Sequence, residues 1–205
     1  MAELSALNQE YFNNLASEYD SRFGDTIAQL EGIIREAKDF IGMKEHGRVL
    51  DYACGTGLLS RGLYPSGRRA YVGNLILPTD PRPSAFTASE FGSFDLASVT
   101  SGFHHFDDCD LAAKRLTERL RPGGVLLIVD FLPHGGDEGG GSASLASSGV
   151  AHHGFTEERI SEMFAGAGCG ADFAFRALPE KVVFEDKKSG RRMARGLFLA
   201  RGNKV

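Results

Sequence analysis

A glycine-rich turn at residues 49–57, VLDYACGTG, is the first segment whose residue types point to chemistry. Gly55 and Gly57 stand between an apolar run and the start of a helical pattern. Backbone without side chains can approach a ligand closely there, and the following helix adds amide donors that lack intrahelical partners. A dinucleotide-binding turn would have a third glycine three residues after Gly57, where this chain has Ser60. The turn therefore predicts a ligand site and disfavours a nicotinamide dehydrogenase.

A second segment with reactive residue types is SGFHHFDD at 101–108. Histidine is the side chain most often used as a general base, so His104 could have that role, and packing or ligand contact is its other available role. Asp107 and Asp108 precede a helical pattern. We predict that they cap this helix rather than bind metal, because no second carboxylate pair has matching spacing.

The cysteines and the remaining histidines support plainer interpretations. Cys54, within the turn, is predicted to be a small packing residue, because nothing in the sequence favours its thiolate. His152 and His153 follow a glycine-rich stretch and are predicted to be loop residues. The three cysteines are odd in number and far apart, which predicts neither a disulfide framework nor a zinc site and favours a reducing compartment.

Strands and helices must alternate around these residues. The predicted strands are 48–53, 94–103 and 125–132, and a helix is predicted at 108–120. Three further strands, at 171–178, 181–185 and 195–202, are joined by turns near the carboxyl terminus. This order predicts an α/β fold with a doubly wound sheet, mainly parallel, whose C-terminal strands are antiparallel.

We predict one domain over residues 1–205, which is long enough for a sizeable core. Its parts are a helical cap at 1–45, a core at 46–133, a flexible loop at 134–152, and a helix with strands at 153–205. The net charge of −4 predicts no nucleic-acid partner, and the basic residues near 187–195 are predicted to lie on a solvated hairpin. No apolar run or leader pattern predicts a membrane span or secretion, so a cytoplasmic protein is expected.

Several motifs in register carry a family resemblance. VLDYACGTG at 49–57, FDLASVTSGFHHFDD at 94–108 and LRPGGVLLIVDFLP at 120–133 resemble the class I S-adenosylmethionine-dependent methyltransferases. YFNNLASEYD at 11–20 and HGFTEERISEMFAGAG at 153–168 are similar to the capping helix and late helix of the small-molecule branch. Within that branch the chain resembles fungal proteins similar to methyltransferase types 11 and 12 and to quinone-biosynthesis O-methyltransferases.

The resemblance implies a Rossmann-like fold, S-adenosylmethionine as cofactor, no metal, and O- or N-methylation of a small molecule. It leaves the methyl acceptor and the oligomeric state open. His104 is the implied catalytic residue, with His105 beside it at the mouth of the site. The residues that it assigns to the cofactor are Asp51, Ala53, Cys54, Gly55, Thr56, Gly57, Asn74, Leu75, Ser101 and Phe103.

The segment at 68–83, RRAYVGNLILPTDPRP, departs from the family pattern. Asn74 lies 19 residues after Gly55, close to where an acidic residue would bind the ribose of the ligand. Only 19 residues then separate Asn74 from Phe94, whereas a strand–helix–strand unit needs about 30 or more. Asn74 either replaces the ribose-binding acid or is the adenine-side residue of a later strand.

We favour the second interpretation, because the flanking motifs match on both sides and only the middle is absent. It predicts an internal deletion, a strand at 70–76 beside the first strand, and a sheet one strand short of the usual seven. The same loss leaves open a catalytically weakened or inactive protein that keeps the fold.

Overall fold

The computed structural model describes residues 2–42, 44, 46–63, 67–135 and 149–205. Three helices begin the chain: α1 (Ala2–Leu15), α2 (Tyr19–Glu36) and α3 (Lys38–Ile41). The helical cap predicted at 1–45 is thus divided, because α1 ends at Leu15 and α2 bends at Phe23, where φ is −114° and ψ is 18°.

The rest of the chain alternates strands and helices. In chain order, these elements are β1 (Val49–Asp51), α4 (Leu58–Leu63), β2 (Phe94–Thr100), α5 (Cys109–Arg119), β3 (Leu120–Phe131), α6 (Glu157–Gly166), β4 (Ala171–Ala177), β5 (Val182–Asp186), β6 (Arg191–Arg195) and β7 (Leu197–Asn203). Short 3₁₀ turns occur at Ser84–Phe86, Ser89–Phe91 and Phe103–His105. The predicted helix stop at Pro65 lies outside the described residues.

The main sheet has the strand order β1-β2-β3-β7-β4. The first three strands of this order are parallel to one another, and β7 runs antiparallel to both β3 and β4. Strands β5 and β6 form a separate antiparallel hairpin. The predicted α/β fold, with parallel strands followed by antiparallel C-terminal strands, is confirmed.

Both faces of the sheet are covered, as a continuous apolar strand requires. In β3, Leu126 and Ile128 face the side that carries α5 and α6, while Leu127 and Val129 face the side that carries α2 and α4. All four side chains are buried. Full burial of a side chain of this kind contributes about 1.5–3 kcal/mol to the free energy of folding. The run VLLIV therefore stabilises the packing of the sheet against both helical layers.

The strand predicted at 70–76 is wrong, because residues 70–76 have no regular secondary structure. Asn74 turns the chain there: its side-chain Oδ1 accepts a hydrogen bond from the amide of Ile76 at 2.9 Å. Gly73 is pressed against Phe86, whose ring a Cβ at position 73 would overlap. In the described part of the chain no strand therefore pairs with the outer edge of β1, and the main sheet has five strands.

Two helices begin with a side-chain cap, and the cap predicted at Asp108 is confirmed. The Asp108 carboxylate accepts from the amide of Leu111 at 2.8 Å, and the Thr156 hydroxyl accepts from the amide of Arg159 at 3.2 Å. These caps place the amino ends of α5 and α6 on the same edge of the sheet as the loops that follow the parallel strands.

The β5–β6 hairpin lies against α2. Thr26 on α2 donates to the carbonyl of Val183 at 3.1 Å, and Lys188 on the hairpin pairs with Glu18 at 2.7 Å. Most of the loop predicted at 134–152 falls at 136–148, which lies outside the described residues.

Candidate functional site

Three parallel strands end at one edge of the sheet and bring the candidate residues together. Main-chain hydrogen bonds connect the ends of neighbouring strands. The amide of Tyr52 donates to the carbonyl of Ser98 at 2.8 Å, and the amide of Ser101 donates to the carbonyl of Val129 at 2.8 Å. A Cβ at Gly102 would lie 3.8 Å from that of Ala53, so the loops after β1 and β2 are in contact. Ligands of open α/β sheets bind at such edges.

The glycine-rich turn after β1 is open toward solvent. Ala53, Gly55 and Gly57 have φ values of 53°, 54° and 87°, in the left-handed region where glycine has no steric penalty. Ala53, Cys54 and Gly55 are exposed, and a Cβ built on Gly55 would find no atom within 4 Å. The turn therefore presents its main chain to free space, as the predicted ligand loop requires.

Asp51 stabilises this turn from behind. Its Oδ2 accepts from the hydroxyl of Ser60 at 2.7 Å and from the amide of Ser60 at 3.2 Å. Burial raises the pKa of the Asp51 carboxyl, and the two bonds from Ser60 oppose that rise. Asp51 thus ties the end of β1 to the first turn of α4 and holds the loop between them in place.

Arg61 is a residue of this site that sequence reasoning missed. Its guanidinium donates to the carbonyl of Thr56 at 2.8 Å and to the carboxylate of Glu31 on α2 at 2.7 Å. A second ion pair joins it to Asp20 at 3.2 Å. Arg61 lies four residues after Gly57, and this spacing was the signal in the sequence that could have identified it. Its partners on α2 lie 30 or more residues away and could not be identified from the local sequence.

Ser101 has a free hydroxyl in an unusual backbone conformation. Its φ is 53°, which is uncommon for a residue with a side chain. Its Oγ is buried and has no hydrogen-bond partner among the described residues. A buried hydroxyl without a partner costs free energy, so it favours a ligand that supplies one. The open turn and this orphaned hydroxyl fit the cofactor that the resemblance implies, on its methionine side.

Phe103 lies deeper than its predicted role suggests. Its side chain is fully buried, with its ring centroid 5.5 Å from that of Phe106 and 5.7 Å from that of Phe155. The ring is thus a core residue beneath the site. A cofactor contact by Phe103 stays a prediction, and only its main chain lies at the loop.

His104 is held by a buried acid that the sequence analysis did not select. Its Nδ1 lies 2.8 Å from Oδ1 of Asp130, and its side chain is 7% exposed. Burial acts to raise the pKa of Asp130, but the charge and hydrogen bond of His104, with backbone amides, hold that pKa below its usual value. The sequence did contain a signal that could have identified Asp130, namely an acidic residue inside the apolar run VLLIVDFL.

His105 closes the site toward α1. Its Nδ1 lies 2.9 Å from the carbonyl of Gly149, and Phe12 of α1 meets its ring edge-on at 5.2 Å. Burial, followed by the neighbouring His104, lowers the pKa of His105 to about 4. His105 is therefore neutral at physiological pH, and its ring is one of the aromatic side chains that border the candidate site.

The segment around Asn74 lies against the end of β1. The hydroxyl of Tyr52 donates to Oδ1 of Asn74 at 3.2 Å and accepts from the amide of Leu75 at 3.2 Å. Leu75 is buried, and Asn74 is exposed. Tyr52 thus joins residues 74 and 75 to the end of β1 without the strand that the deletion hypothesis predicted, and contact of Asn74 and Leu75 with adenosine stays a prediction.

Two classes of feature are absent from the described residues. No group of three or more His, Cys, Asp or Glu side chains in the described part of the chain could hold a metal ion. None of the helices within the described ranges is long and apolar enough to cross a membrane.

Comparisons with known proteins agree with this geometry. An uncharacterized methyltransferase of Schizosaccharomyces pombe is 28% identical over 192 aligned positions, which cover 77% of this chain and 66% of the relative. A ubiquinone/menaquinone biosynthesis C-methyltransferase of Neisseria meningitidis is 29% identical over 146 positions, covering 60% of this chain and 58% of the relative. The aligned part thus spans less than two thirds of the length of each of these relatives.

Solved structures share the fold. The YcgJ protein of Bacillus subtilis superposes with a TM-score of 0.56 at 12% identity, covering 86% of this chain and 98% of that one. A 1,6-didemethyltoxoflavin-N1-methyltransferase of Burkholderia thailandensis gives 0.51 at 18% identity, covering 97% and 90%. The methyltransferase domain family matches residues 25–170, which is more than half of the chain. The chain therefore belongs to the class I S-adenosylmethionine-dependent methyltransferases.

Proposed function

We propose that this protein transfers a methyl group to a hydroxyl or amine group of a small aromatic molecule, and that His104 accepts the proton which the acceptor gives up. The observation that carries the proposal is the His104 ring, buried at the carboxyl edge of the parallel strands with Asp130 at 2.8 Å. An imidazole held in place by a carboxylate can act as a general base toward a phenolic proton.

The cofactor would lie along the glycine-rich turn. Main-chain groups of residues 53–57 and the free hydroxyl of Ser101 would hold its methionine part, and Asp51 would keep the turn in place. Asn74 and Leu75 are the proposed neighbours of its adenosine part. When bound, S-adenosylmethionine supplies the methyl carbon, whose bond to sulfur breaks as the bond to the acceptor oxygen or nitrogen forms. The chain itself orients the acceptor and holds the released proton at His104.

An aromatic acceptor is favoured by the rings around His104. The centroids of His105 and Phe131 lie 4.2 Å and 4.7 Å from that of His104. Phe12 extends this wall beyond His105, and Phe184 of the hairpin packs on Phe131 at 5.3 Å. Aromatic walls with one polar group favour a planar, uncharged ligand oriented by that group.

The partners and the compartment that we propose follow from the net charge and the cysteines of the chain. The net charge of −4 supports a small-molecule acceptor and no nucleic acid. Three free thiols, at Cys54, Cys109 and Cys169, support a reducing compartment, and we propose the cytoplasm.

The direct test is methyl transfer from isotopically labelled cofactor by the full chain. Phenols, hydroquinones, aromatic amines and aliphatic amines form the panel, and mass spectrometry locates the label on oxygen, nitrogen or carbon. The relative from Neisseria that is named as a C-methyltransferase makes ring carbon a position worth examining. We expect transfer to aromatic members only, and a loss of about 10²–10⁴-fold in His104→Gln. Equal rates for aliphatic and aromatic amines would refute the aromatic acceptor.

A catalytically weakened protein is the second candidate, and the open outer edge of β1 favours it. Since 77% of 205 residues is about 158, about 34 of the 192 positions aligned with the fission yeast relative have no counterpart here. A strand–helix–strand unit needs about 30 residues or more, so the shortfall matches a lost unit of that size.

The loss should weaken the grip on the ribose. Asn74 offers a neutral hydrogen bond of about 0.5–1.5 kcal/mol in place of a charge-assisted one of about 1.5–3 kcal/mol. Calorimetric titration of the full chain with S-adenosylmethionine and S-adenosylhomocysteine decides between the candidates. Low-micromolar dissociation constants would mean that the deletion hypothesis misjudges the cofactor pocket, and the absence of binding at millimolar concentration would support the weakened protein.

A further inference from the structure

Asp130 is surrounded by hydrogen-bond donors and is completely buried. Its Oδ2 accepts from the amides of Phe103 at 2.8 Å and His104 at 3.2 Å. Its Oδ1 accepts from the amide of Phe131 at 2.7 Å and lies 2.8 Å from Nδ1 of His104. Such a set of donors is what an ionised carboxylate requires, because that group can only accept.

This donor set determines the tautomer of His104. Facing an ionised carboxylate, Nδ1 must carry a proton in order to make its hydrogen bond with Asp130. In a neutral imidazole the other nitrogen, Nε2, then carries the lone pair. Nε2 has no hydrogen-bond partner among the described residues, so it is the nitrogen that we assign to an incoming group.

We propose that Asp130 is a positioning residue, which holds His104 as the Nδ1–H tautomer so that Nε2 receives the proton of the methyl acceptor. This inference rests on the proposed function of His104. Asp130 does not itself touch the acceptor, because it lies wholly beneath the loop that carries Phe103 and His104.

Among the described residues, Asp130 is the acidic partner of His104, and the other titratable side chains near its ring are histidines. On its own turn His104 faces His105, at 4.2 Å between ring centroids. Phe131 separates it from His134, whose ring is 5.9 Å from that of Phe131. Both neighbouring histidines have pKa values lowered first by burial, so they are neutral where His104 would act.

The substitution Asp130→Asn should reverse the tautomer. An amide has one oxygen, and it costs least to turn that oxygen toward the two backbone donors, the amides of Phe103 and His104. The NH₂ group then faces Nδ1, which must become the acceptor, and the proton moves to Nε2. An Asp→Asn change beside a catalytic histidine has this effect in serine proteases, where it lowers kcat by about 10⁴.

The first measurement needs no activity. Nitrogen NMR of the full chain labelled with ¹⁵N-histidine should show His104 as the Nδ1–H tautomer, and Asp130→Asn should convert it to Nε2–H. Asp95→Asn is the matched control. Like Asp130, Asp95 accepts from a backbone amide and from a basic side chain, here Arg121, but it lies at the opposite edge of the sheet. It should leave the tautomer unchanged. An Nε2–H tautomer in the unsubstituted protein would overturn the inference, whether or not the variant folds.

The second measurement compares two acceptors at pH 7.5, a phenol that is protonated and a nitrophenol that is already ionised. Asp130→Asn should lower kcat for the protonated phenol by about 10²–10⁴-fold and leave the ionised one nearly unchanged. Equal losses for both would mean a structural role and would overturn positioning. If neither acceptor is methylated by the unsubstituted protein while the tautomer behaves as expected, the proposed function fails and the assignment of Asp130 stands.

Discussion

The bond between Ser60 and Asp51 should determine how firmly the glycine-rich turn is held. Replacing Ser60 with alanine removes the hydroxyl that donates to Asp51 at 2.7 Å and keeps the backbone amide that donates at 3.2 Å. The carboxylate would then be buried with one donor fewer, directly behind the proposed cofactor loop.

The magnitude follows from two opposing effects. A hydrogen bond to a charged group contributes about 1.5–3 kcal/mol. Alanine is a better helix former than serine by roughly 0.5 kcal/mol, and position 60 lies in the first turn of α4. We therefore expect Ser60→Ala to lower the free energy of unfolding by about 1–2.5 kcal/mol. At about 2–4 °C per kcal/mol for a chain of this size, the melting temperature should fall by roughly 2–10 °C.

The pH dependence has a definite sign. The folded-state pKa of Asp51 is raised, so its buried charge lowers stability above that pKa, and the loss is relieved as the pH falls through it. The Ser60 hydroxyl favours the charged form, so Ser60→Ala should raise the pKa further. The difference between the two proteins should be largest above the folded pKa of Asp51 and should shrink in acid.

Urea unfolding at a series of pH values, with carbon NMR of the Asp51 carboxyl, measures both effects. Ser60→Thr is the matched control, because it keeps the hydroxyl and should retain most of the stability. An unfolding free energy that is unchanged in Ser60→Ala at pH 8 would refute the reasoning, as would a carboxyl pKa that does not rise.

Three further results are expected. Arg61→Met should weaken cofactor binding in calorimetry while Arg61→Lys retains part of it, because the guanidinium bonds to the carbonyl of the turn; equal affinities in all three proteins would contradict this. Asp186→Asn should lower the melting temperature at pH 7, because Arg22 first, then other donors, depresses the pKa of Asp186; the difference should vanish as the pH falls below the ordinary carboxyl value toward the folded one. Cys54 is exposed as a residue, but desolvation by the protein atoms around its sulfur and then the Asp51 carboxylate raise its pKa, so it should react slowly with iodoacetamide at pH 7; a rate equal to that of free cysteine would contradict this.

Local sequence rules worked where the interactions are local. The caps at Asp108 and Thr156 were predictable because the acceptor lies three residues from its donor. The parallel strands could be read from continuous apolar runs, and the positive φ values of the turn from Gly55 and Gly57.

Other features depend on residues distant in sequence. The deletion hypothesis predicted a strand at 70–76, but the contacts of Asn74 with Tyr52, 22 residues earlier, accompany a turn instead. Likewise Arg61 finds Glu31 only because α2 packs against α4, and no local pattern contains that information.

The sequence by itself determined the family, the alternation of strands and helices, and the place of the glycine-rich turn, because these depend on residue type and short spacing. Only the tertiary structure decided that no strand among the described residues pairs with the outer edge of β1 and that Phe103 belongs to the core. It also decided that Asp130, 26 residues from His104 in sequence, lies against its ring. The physical reason is that adjacent parallel strands bring together side chains whose separation in sequence is set by the helix between them.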